Sequence, residues 1–366
     1  MKKKISLDVE YFEGVICPGF VNTHCHLELS YLKSKMPKGE GLDEFLRRVE
    51  EVRRKISIEE IEDALIKAEN EMIQNGIVAV GDISNSDYSF AQKAKQQLKY
   101  YTFIEVLGFH PDRAEWEFKK GKQLQSSIIN HRSSITPHSP YSASEKLLYL
   151  INEYNSHSNE ILTVHNQESE DENLLFRENS GKIQERLKTW GIDTSFFQPS
   201  EKNSLQYVLS RLYNAKKIQL VHNTYTDREN IRWAKQFFFL NNEQRTMNNK
   251  LFWCFCPNSN LYIEKKLPDI PMFLEEELTI TIGTDSLASN DSLSVFDEIK
   301  TISKYFPQIA FESVITWATK NGAEFLGMEK EIGTIEKGKK PGLNLLQKIN
   351  REQMKFSEDT SLRKLI

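Results

Sequence analysis

Residues 57–83 read SIEEIEDALIKAENEMIQNGIVAVGDI, and this stretch indicates how much of the chain folds. Ser57 followed by Glu60 is the pattern of a capping box, in which each side chain accepts a backbone N–H at the start of a helix. Apolar residues then recur every three or four positions, which predicts a helix with one buried face. Gly76 suits a left-handed helix end, and the apolar run IVAVGDI follows at once. The stretch therefore predicts a helix joined to a strand by a short turn.

Seven further apolar runs of strand length lie elsewhere in the chain, and helical patterns fill most of the gaps between them. The eight predicted strands are Val15–His24, Ile77–Ile83, Tyr101–Gly108, Ser133–Pro137, Ile161–His165, Lys217–His222, Leu251–Cys256 and Leu278–Thr284. Continuous apolar runs are typical of parallel strands that helices cover on both faces. Eight of them favour an α/β fold of the closed (β/α)8 TIM barrel type. An open doubly wound sheet is the alternative, but the chain lacks the glycine motifs of nucleotide-binding sheets.

The sequence changes character after Gly327. The stretch IGTIEKGKKPGLNLL reads as short strands around glycine-rich turns. We therefore expect a barrel over residues 18–326 and a small appendage built from residues 1–17 and 327–366.

Composition excludes several classes of protein. The 366 residues carry 48 Lys and Arg against 52 Asp and Glu, and this net charge of −4 argues against a nucleic-acid-binding surface. The four cysteines lack the spacing of a zinc ribbon, a redox motif or a disulfide framework. No apolar run approaches the roughly 20 residues that span a bilayer, and the N-terminus lacks the apolar core of a signal peptide. We therefore expect a cytoplasmic protein with neither nucleic acid nor membrane as its partner.

Histidines and an aspartate stand at the ends of several predicted strands, where the active site of a (β/α)8 barrel forms. In His24–Cys25–His26, the two histidines are two residues apart and point the same way in a strand, so both imidazoles can bind one ion. His165 ends the run ILTVH, and Asp285 follows the apolar run TITIGT. Three imidazoles and a carboxylate around an open position are typical of a catalytic divalent metal site. We predict that these residues are metal ligands; the alternative is a set of ordinary hydrogen-bonded or solvated side chains.

Two further residues have the placement of proton-transfer groups. Glu168 lies three residues after His165, where a loop could turn its carboxylate over the barrel mouth, and His222 ends the run QLVH. A bound metal ion lowers the pKa of water toward ~7, and protons must then be moved. We predict that Asp285 accepts a proton from this water, that Glu168 donates one to a ring nitrogen of the substrate, and that His222 holds the nucleophile. Glu172, in the acid-rich run ESEDE, is expected to be solvated.

Several longer segments stand in a fixed order between Pro18 and about Leu346. They are PGFVNTHCHLELS, VHNQES, LVHNTY, IGTDSLASN and ATKNGAEFLG, followed by IGTIEKGKKPGLNLL. Together they resemble the amidohydrolase superfamily, and in particular its branch of cytosine deaminases, chlorohydrolases and adenosylhomocysteine-deaminase-like enzymes. The segments LELSYL and LYIEKKLPDI are also similar to segments of aminodeoxyfutalosine deaminases.

The resemblance implies a distorted (β/α)8 barrel with one divalent metal ion, which is zinc or, as the alternative, iron. The family's metal ligands match His24, His26, His165 and Asp285, its proton-shuttle glutamate matches Glu168, and its strand-six histidine matches His222. The histidine of TPHSPYSAS contacts substrate in the family, which implies a substrate-binding role for His138. No lysine stands at the end of that strand to bind a second metal ion. Family members also build a small β-sandwich from both termini, and the short N-terminal segment here implies a reduced one.

The residues and the resemblance together predict a metal-dependent hydrolytic deaminase. A metal hydroxide would attack the amine-bearing ring carbon of a small heterocyclic substrate of the nucleoside, purine, pterin or pyrimidine type, and ammonia would leave. Two alternatives stay open. The same mononuclear site could hydrolyse a ring amide or a carbon–halogen bond, or the chain could be a non-catalytic binding protein that a metal stabilises. The sequence leaves open whether the protein forms a homo-oligomer.

Overall fold

Strands and helices alternate along the chain in the computed structural model, which describes residues 10–158, 160–199, 202–242, 250–350 and 352–366. The strands are β1 (Val15–Pro18), β2 (Phe20–Cys25), β3 (Ile77–Ser84), β4 (Lys99–Val106), β5 (Arg132–Pro137), β6 (Ile161–Asn166), β7 (Lys217–His222), β8 (Lys250–Phe255), β9 (Ile280–Ile282), β10 (Leu343–Gln347) and β11 (Ser361–Lys364). The α-helices are α1 (Leu42–Arg53), α2 (Ile58–Gln74), α3 (Phe90–Lys93), α4 (Ala114–Ser126), α5 (Glu145–Ser158), α6 (Glu170–Glu178), α7 (Lys182–Thr189), α8 (Ser204–Leu209), α9 (Arg228–Asn242), α10 (Pro257–Glu264), α11 (Ile270–Glu275), α12 (Val295–Tyr305), α13 (Phe311–Thr316) and α14 (Gly322–Leu326). Short 3-10 helices span Leu27–Leu32, Pro111–Arg113 and Pro140–Ser142, and a π-helix spans Trp317–Asn321.

The helix and strand predicted over residues 57–83 are α2 and β3. Ser57 Oγ accepts the Glu60 N–H at 3.2 Å, and the Glu60 carboxylate accepts the Ser57 N–H at 3.3 Å. The apolar stripe of α2 is buried, and Gly76 ends the helix with a φ of 71°. A capped amphipathic helix followed at once by a buried strand is therefore confirmed as the local unit of the fold.

Eight strands form two parallel sheets, with the orders β2–β3–β4–β5 and β6–β7–β8–β9. Strands β2, β6 and β7 are buried along their whole length, because helices cover one face and the other strands cover the opposite face. Large side chains that include Tyr101, Phe103, Phe252 and Phe325 fill the barrel interior on the side where the strands begin. Polar side chains therefore gather at the opposite end, where the strands finish. Among the described residues, no helix combines the length and apolar character needed to span a bilayer.

Side-chain hydroxyls link the two sheets between β5 and β6. Ser134 Oγ donates to the Ile161 carbonyl oxygen at 2.6 Å, and Thr136 Oγ1 accepts the Thr163 N–H at 3.2 Å. These bonds stand in place of a regular backbone ladder between the two strands. The barrel is therefore distorted at this seam.

The other seam lies between β9 and β2. The His24 carbonyl oxygen accepts the N–H groups of Thr284 and Asp285, each at 3.0 Å. Cys25 and Asp285 form an isolated parallel bridge. This seam places the end of β2 directly beside the chain that leaves β9.

A third, antiparallel sheet has the order β1–β10–β11. The single strand predicted over Val15–His24 is therefore wrong, because the chain leaves the small sheet at Gly19 and enters the barrel as β2. The Gly19 N–H donates to Pro341 O at 3.0 Å, and a Cβ on Gly19 would lie 2.3 Å from a methyl group of Val78. Only glycine fits this crossing without displacing its neighbours.

The three strands of the small sheet come from both ends of the chain. They lie within or next to the ranges expected for the appendage, 1–17 and 327–366. Residues 1–9 of that expected appendage, and residue 351, lie outside the described residues. The division into this appendage and a barrel over 18–326 stays a prediction.

Candidate metal centre

The four predicted ligands lie together at the upper end of the barrel. His24 and His26 come from the end of β2, His165 from the end of β6, and Asp285 from the chain after β9. One possible ligand atom from each residue lies within 4.8 Å of the other three, and all four residues are buried. His26 Nε2 is 3.3 Å from His165 Nε2 and 3.5 Å from Asp285 Oδ1.

The donor atoms fit a divalent cation. Both ring nitrogens of His24 are buried and have no hydrogen-bond partner among the described residues. His165 Nδ1 lies 2.8 Å from the His138 carbonyl oxygen, which can only accept, so this nitrogen carries the proton and the Nε2 lone pair faces the site. Burial lowers the pKa of His26 to about 4 and that of His165 well below its usual value. Neutral imidazoles and a carboxylate are the donors that zinc requires.

The Asp285 carboxyl is ionised at neutral pH. Burial by itself would raise its pKa, but the nearby imidazoles of His24, His26 and His222 hold the pKa well below its usual value. Asp285 therefore supplies the negative charge of the donor set.

The backbone takes left-handed conformations where three strands end. Gln167 follows β6 with a φ of 45°, and Asp285 follows β9 with a φ of 57°. His222 ends β7 with a φ of 73°, and Asn223 follows it with a φ of 57°. Such conformations are uncommon for residues other than glycine, and they cluster at functional sites. They turn the chain sharply so that side chains at the strand ends face the barrel axis.

Glu168 and His222 face each other beside the four donors. Glu168 Oε1 lies 3.6 Å from His222 Nε2, and both side chains are buried. Burial raises the pKa of Glu168 well above its usual value and lowers the pKa of His222 to about 3. Burial therefore favours the protonated form of the Glu168 carboxyl and the neutral form of the His222 imidazole. This is the protonation state that a general acid needs at neutral pH.

Glu172 is buried, and the expectation that it is solvated is wrong. Its Oε1 accepts the Gln167 N–H at 2.9 Å, and its Oε2 accepts the Glu168 N–H at 3.4 Å. Helix α6 begins at Glu170, so the side chain of the third helical residue reaches back over the helix start. An acid-rich run alone does not indicate this placement. Glu172 holds the backbone that carries Glu168.

The titration of Glu172 predicts a dependence of stability on pH. Burial raises the pKa of Glu172 from 4.5 to about 7, so the folded protein favours the protonated carboxyl. Its contribution to stability is complete below pH 4.5 and is lost as the pH rises through about 7. We expect Glu172→Gln to reduce the fall in melting temperature over this interval, because the amide does not ionise. Melting curves at several pH values test this, and parallel curves for the two proteins would contradict it.

His138 lies beside the four donors without belonging to them. Its ring centroid is 4.2 Å from that of His165, and its Nδ1 is 2.8 Å from Glu105 Oε2. Burial would lower the pKa of His138, but the Glu105 carboxylate raises it. The other oxygen of Glu105 accepts Asn85 Nδ2 at 3.3 Å. Sequence reasoning missed Glu105, because nothing in the run YYTFIEV marks a site residue.

A cavity of about 700 Å³ opens above these residues. Its lining includes His26, His138, His165, Glu168 and Asp285 from the strand ends, and Phe45, Leu46, Val49 and Arg53 from α1. Imidazoles and carboxylates thus lie on one side of the cavity, and the apolar face of α1 lies on another. A small molecule that enters the cavity contacts both.

Known proteins resemble this chain over most of its length. The sequence matches the amidohydrolase family over residues 15–364. It is 25% identical over 359 residues to an adenosine deaminase of Helicobacter pylori, covering 95% of this chain and 83% of that protein.

Two solved structures share the fold. A crystal structure of Helicobacter pylori aminofutalosine deaminase with methylthio-coformycin superposes with a TM-score of 0.75 at 23% identity, covering 94% of this chain and 82% of the other. A zinc-bound adenosine deaminase from Xanthomonas campestris gives a TM-score of 0.69 at 19% identity, covering 91% of this chain and 72% of the other. These similarities confirm the predicted barrel fold, and the family match over residues 15–364 shows that the chain belongs to the amidohydrolase family.

Proposed function

We propose that this protein is a zinc-dependent hydrolytic deaminase of an adenosine-type nucleoside. The observation that carries the proposal is the buried Glu168, whose Oε1 lies 3.6 Å from His222 Nε2 beside four convergent donors. A binding protein has no need of this pair. The names of the related enzymes, an adenosine deaminase and an aminofutalosine deaminase, support an amino-substituted nucleoside as the substrate class.

Each residue of the site has a proposed part in the reaction. His24, His26, His165 and Asp285 hold the cation, which supplies a water of lowered pKa when bound. Asp285 takes up a proton of the attacking water, and His222 Nε2 orients the water oxygen. Glu168 donates its proton to the ring nitrogen next to the amine-bearing carbon. A carbon–oxygen bond forms as the water oxygen attacks. Asp285 then passes its proton to the amine, the carbon–nitrogen bond breaks and ammonia leaves, and the new hydroxyl gives its proton to Glu168 as it becomes a carbonyl.

The outer cavity suits the rest of a nucleoside. His138 stands at the edge of the donor set, where its ring can bind a polar atom of the substrate. The apolar residues Phe45, Leu46 and Val49 of α1 offer a surface for the less polar part. A cavity of about 700 Å³ lies within the range of small-molecule sites.

Ammonia release tests the proposed function. Zinc-loaded protein should release ammonia from adenosine, 5′-deoxyadenosine or 5′-methylthioadenosine, and should do so poorly from cytosine and guanine. 6-Chloropurine riboside tests the alternative of carbon–halogen hydrolysis through chloride release. No ammonia from the whole panel, with zinc content near one per chain, would overturn the proposal.

Removal of the metal should abolish turnover reversibly. We expect a chelator to lower the rate of ammonia release by at least about 100-fold, because the water then loses its activating cation. Added zinc should restore the rate and raise the melting temperature, since an ion that binds only the folded protein stabilises it. A rise in melting temperature with no turnover on any substrate would instead favour a metal-stabilised binding protein.

We also propose that the protein works in the cytoplasm on small molecules, with neither nucleic acid nor membrane as its partner. The near-neutral charge supports this, and so do the four cysteines, which are all buried and free. A homo-oligomer is compatible with the proposal.

A further inference from the structure

The first turn of α10 touches two of the proposed catalytic groups. Ser259 Oγ donates to Asp285 Oδ2 at 2.7 Å. Asn260 Nδ2 lies 3.3 Å from His222 Nδ1 and donates to Thr224 Oγ1 at 2.8 Å. Ser259 and Asn260 are both buried, with 0% and 1% of their surface exposed. Two consecutive residues of one helix thus contact one group at the end of β7 and one on the chain after β9.

Residues of α12 hold this first turn of α10 in place through hydrogen bonds to Asn258. The Asn258 N–H donates to Glu298 Oε2 at 2.9 Å, and Thr301 Oγ1 donates to Asn258 Oδ1 at 2.5 Å. Glu298 and Thr301 belong to α12. Glu298 Oε1 also accepts Asn290 Nδ2 at 2.7 Å, in the loop that follows Asp285. The start of α10 therefore has little freedom to move relative to the strand ends.

Two serine hydroxyls determine which oxygen of the Asp285 carboxylate faces the imidazoles. Ser259 and Ser289 both donate to Oδ2, at 2.7 and 2.5 Å. Oδ1 then faces His24 and His26, at 3.7 and 3.5 Å from their Nε2 atoms. Without the Ser259 hydroxyl, the carboxylate loses one of the two bonds that prevent rotation about its Cβ–Cγ bond.

We propose that Ser259 and Asn260 are positioning residues, Ser259 for the carboxylate of Asp285 and Asn260 for the imidazole of His222. The inference rests on the proposed function for the identity of the two groups. Because Asp285 is a proposed ligand and His222 is not, the two residues should affect different quantities. Loss of Ser259 weakens zinc binding and slows turnover, whereas loss of Asn260 slows turnover alone.

Zinc affinity tests the role of Ser259. We expect Ser259→Ala to raise the zinc dissociation constant, measured by competition with a chromophoric chelator, by about 10- to 100-fold. Ser259→Cys keeps the shape of the side chain, but its thiol is a weak hydrogen-bond donor, so it should also raise the zinc dissociation constant. This second variant decides the question if the alanine variant folds poorly. The matched control is Ser134→Ala, which removes one buried hydroxyl that bonds Ile161 O at the far end of the barrel. Its zinc affinity should stay within twofold of wild type.

Turnover tests the role of Asn260. We expect Asn260→Ala to lower kcat by about 10- to 100-fold with KM little changed, because second contacts of this kind orient a reacting group. Its zinc affinity should match that of the wild-type protein. The inference would be wrong if both Ser259 variants bound zinc as tightly as the wild-type protein. It would also be wrong if Asn260→Ala lost as much zinc affinity as Ser259→Ala, or if Asn260→Ala kept the wild-type kcat. If the wild-type protein releases no ammonia, the proposed function fails, while the zinc measurements still decide the role of Ser259.

Discussion

Glu168→Gln should lower kcat for ammonia release by about 10²- to 10⁴-fold, the range that general acid catalysis contributes. The amide has almost the same size as the carboxyl, but it cannot transfer a proton to the ring nitrogen of the substrate. Glu168 is not among the four convergent donors, so the zinc content should stay near that of the wild-type protein. Steady-state kinetics and metal analysis on the same preparation separate these two effects.

Glu170→Gln is the matched control for this substitution. Glu170 lies two residues away, is exposed and pairs with Arg177 on the surface of α6 at 2.7 Å. Its kcat should stay within twofold of wild type. If Glu168→Gln retains more than a tenth of the wild-type kcat, Glu168 is not the proton donor. Chloride release from 6-chloropurine riboside that survives in the same variant would favour carbon–halogen hydrolysis.

Gly283→Ala should remove most of the zinc binding, with a rise in the dissociation constant of about 100-fold or more, at the upper end of indirect effects on metal sites. A Cβ at this position would lie 2.7 Å from the Cβ of His24 and 3.0 Å from the Sγ atoms of Cys254 and Cys256. The His24 backbone is held by the chain after β9, so its side chain must tilt away from the site. Overpacking of this kind also costs about 1–3 kcal/mol of stability.

Gly108→Ala provides the control for the added methyl group. A Cβ there would meet only flexible side chains, the nearest at 3.3 Å. Its zinc affinity should equal that of the wild-type protein, and its melting temperature should change little. Full zinc affinity in Gly283→Ala would show that His24 is not a ligand, or that the strands move apart without effect on the site.

The period of the hydrophobic pattern predicted the barrel better than it predicted the strand bounds. The run over residues 57–83 contains its own caps, so α2 and β3 could be placed closely from sequence. The run Val15–His24 could not be divided, because the reason for its division is a close approach of Gly19 to Val78 and Pro341. Contacts between distant parts of the chain leave no local pattern.

For the site too, residues marked by a local sequence pattern could be predicted, whereas residues defined by distant contacts could not. His24 lies in β2 and His26 directly follows that strand, and a spacing of two residues predicted that both side chains reach one ion. The placement of Glu172 could not be predicted, because a carboxylate that reaches back to backbone N–H groups looks, in sequence, like any surface acid. Ser259 and Asn260 carry no charge and follow a proline in an ordinary helix start, so only their contacts with Asp285 and His222 distinguish them.

The two seams of the barrel have a consequence for how the protein unfolds. His24 belongs to the first four-stranded sheet and His26 directly follows its strand β2, whereas His165 belongs to the second sheet and Asp285 follows it. With the proposed cation bound, two ligands would come from each half, and the ion would cross-link the two four-stranded sheets. The halves could then not separate without breaking coordination bonds, so we expect bound metal to make the two sheets unfold together.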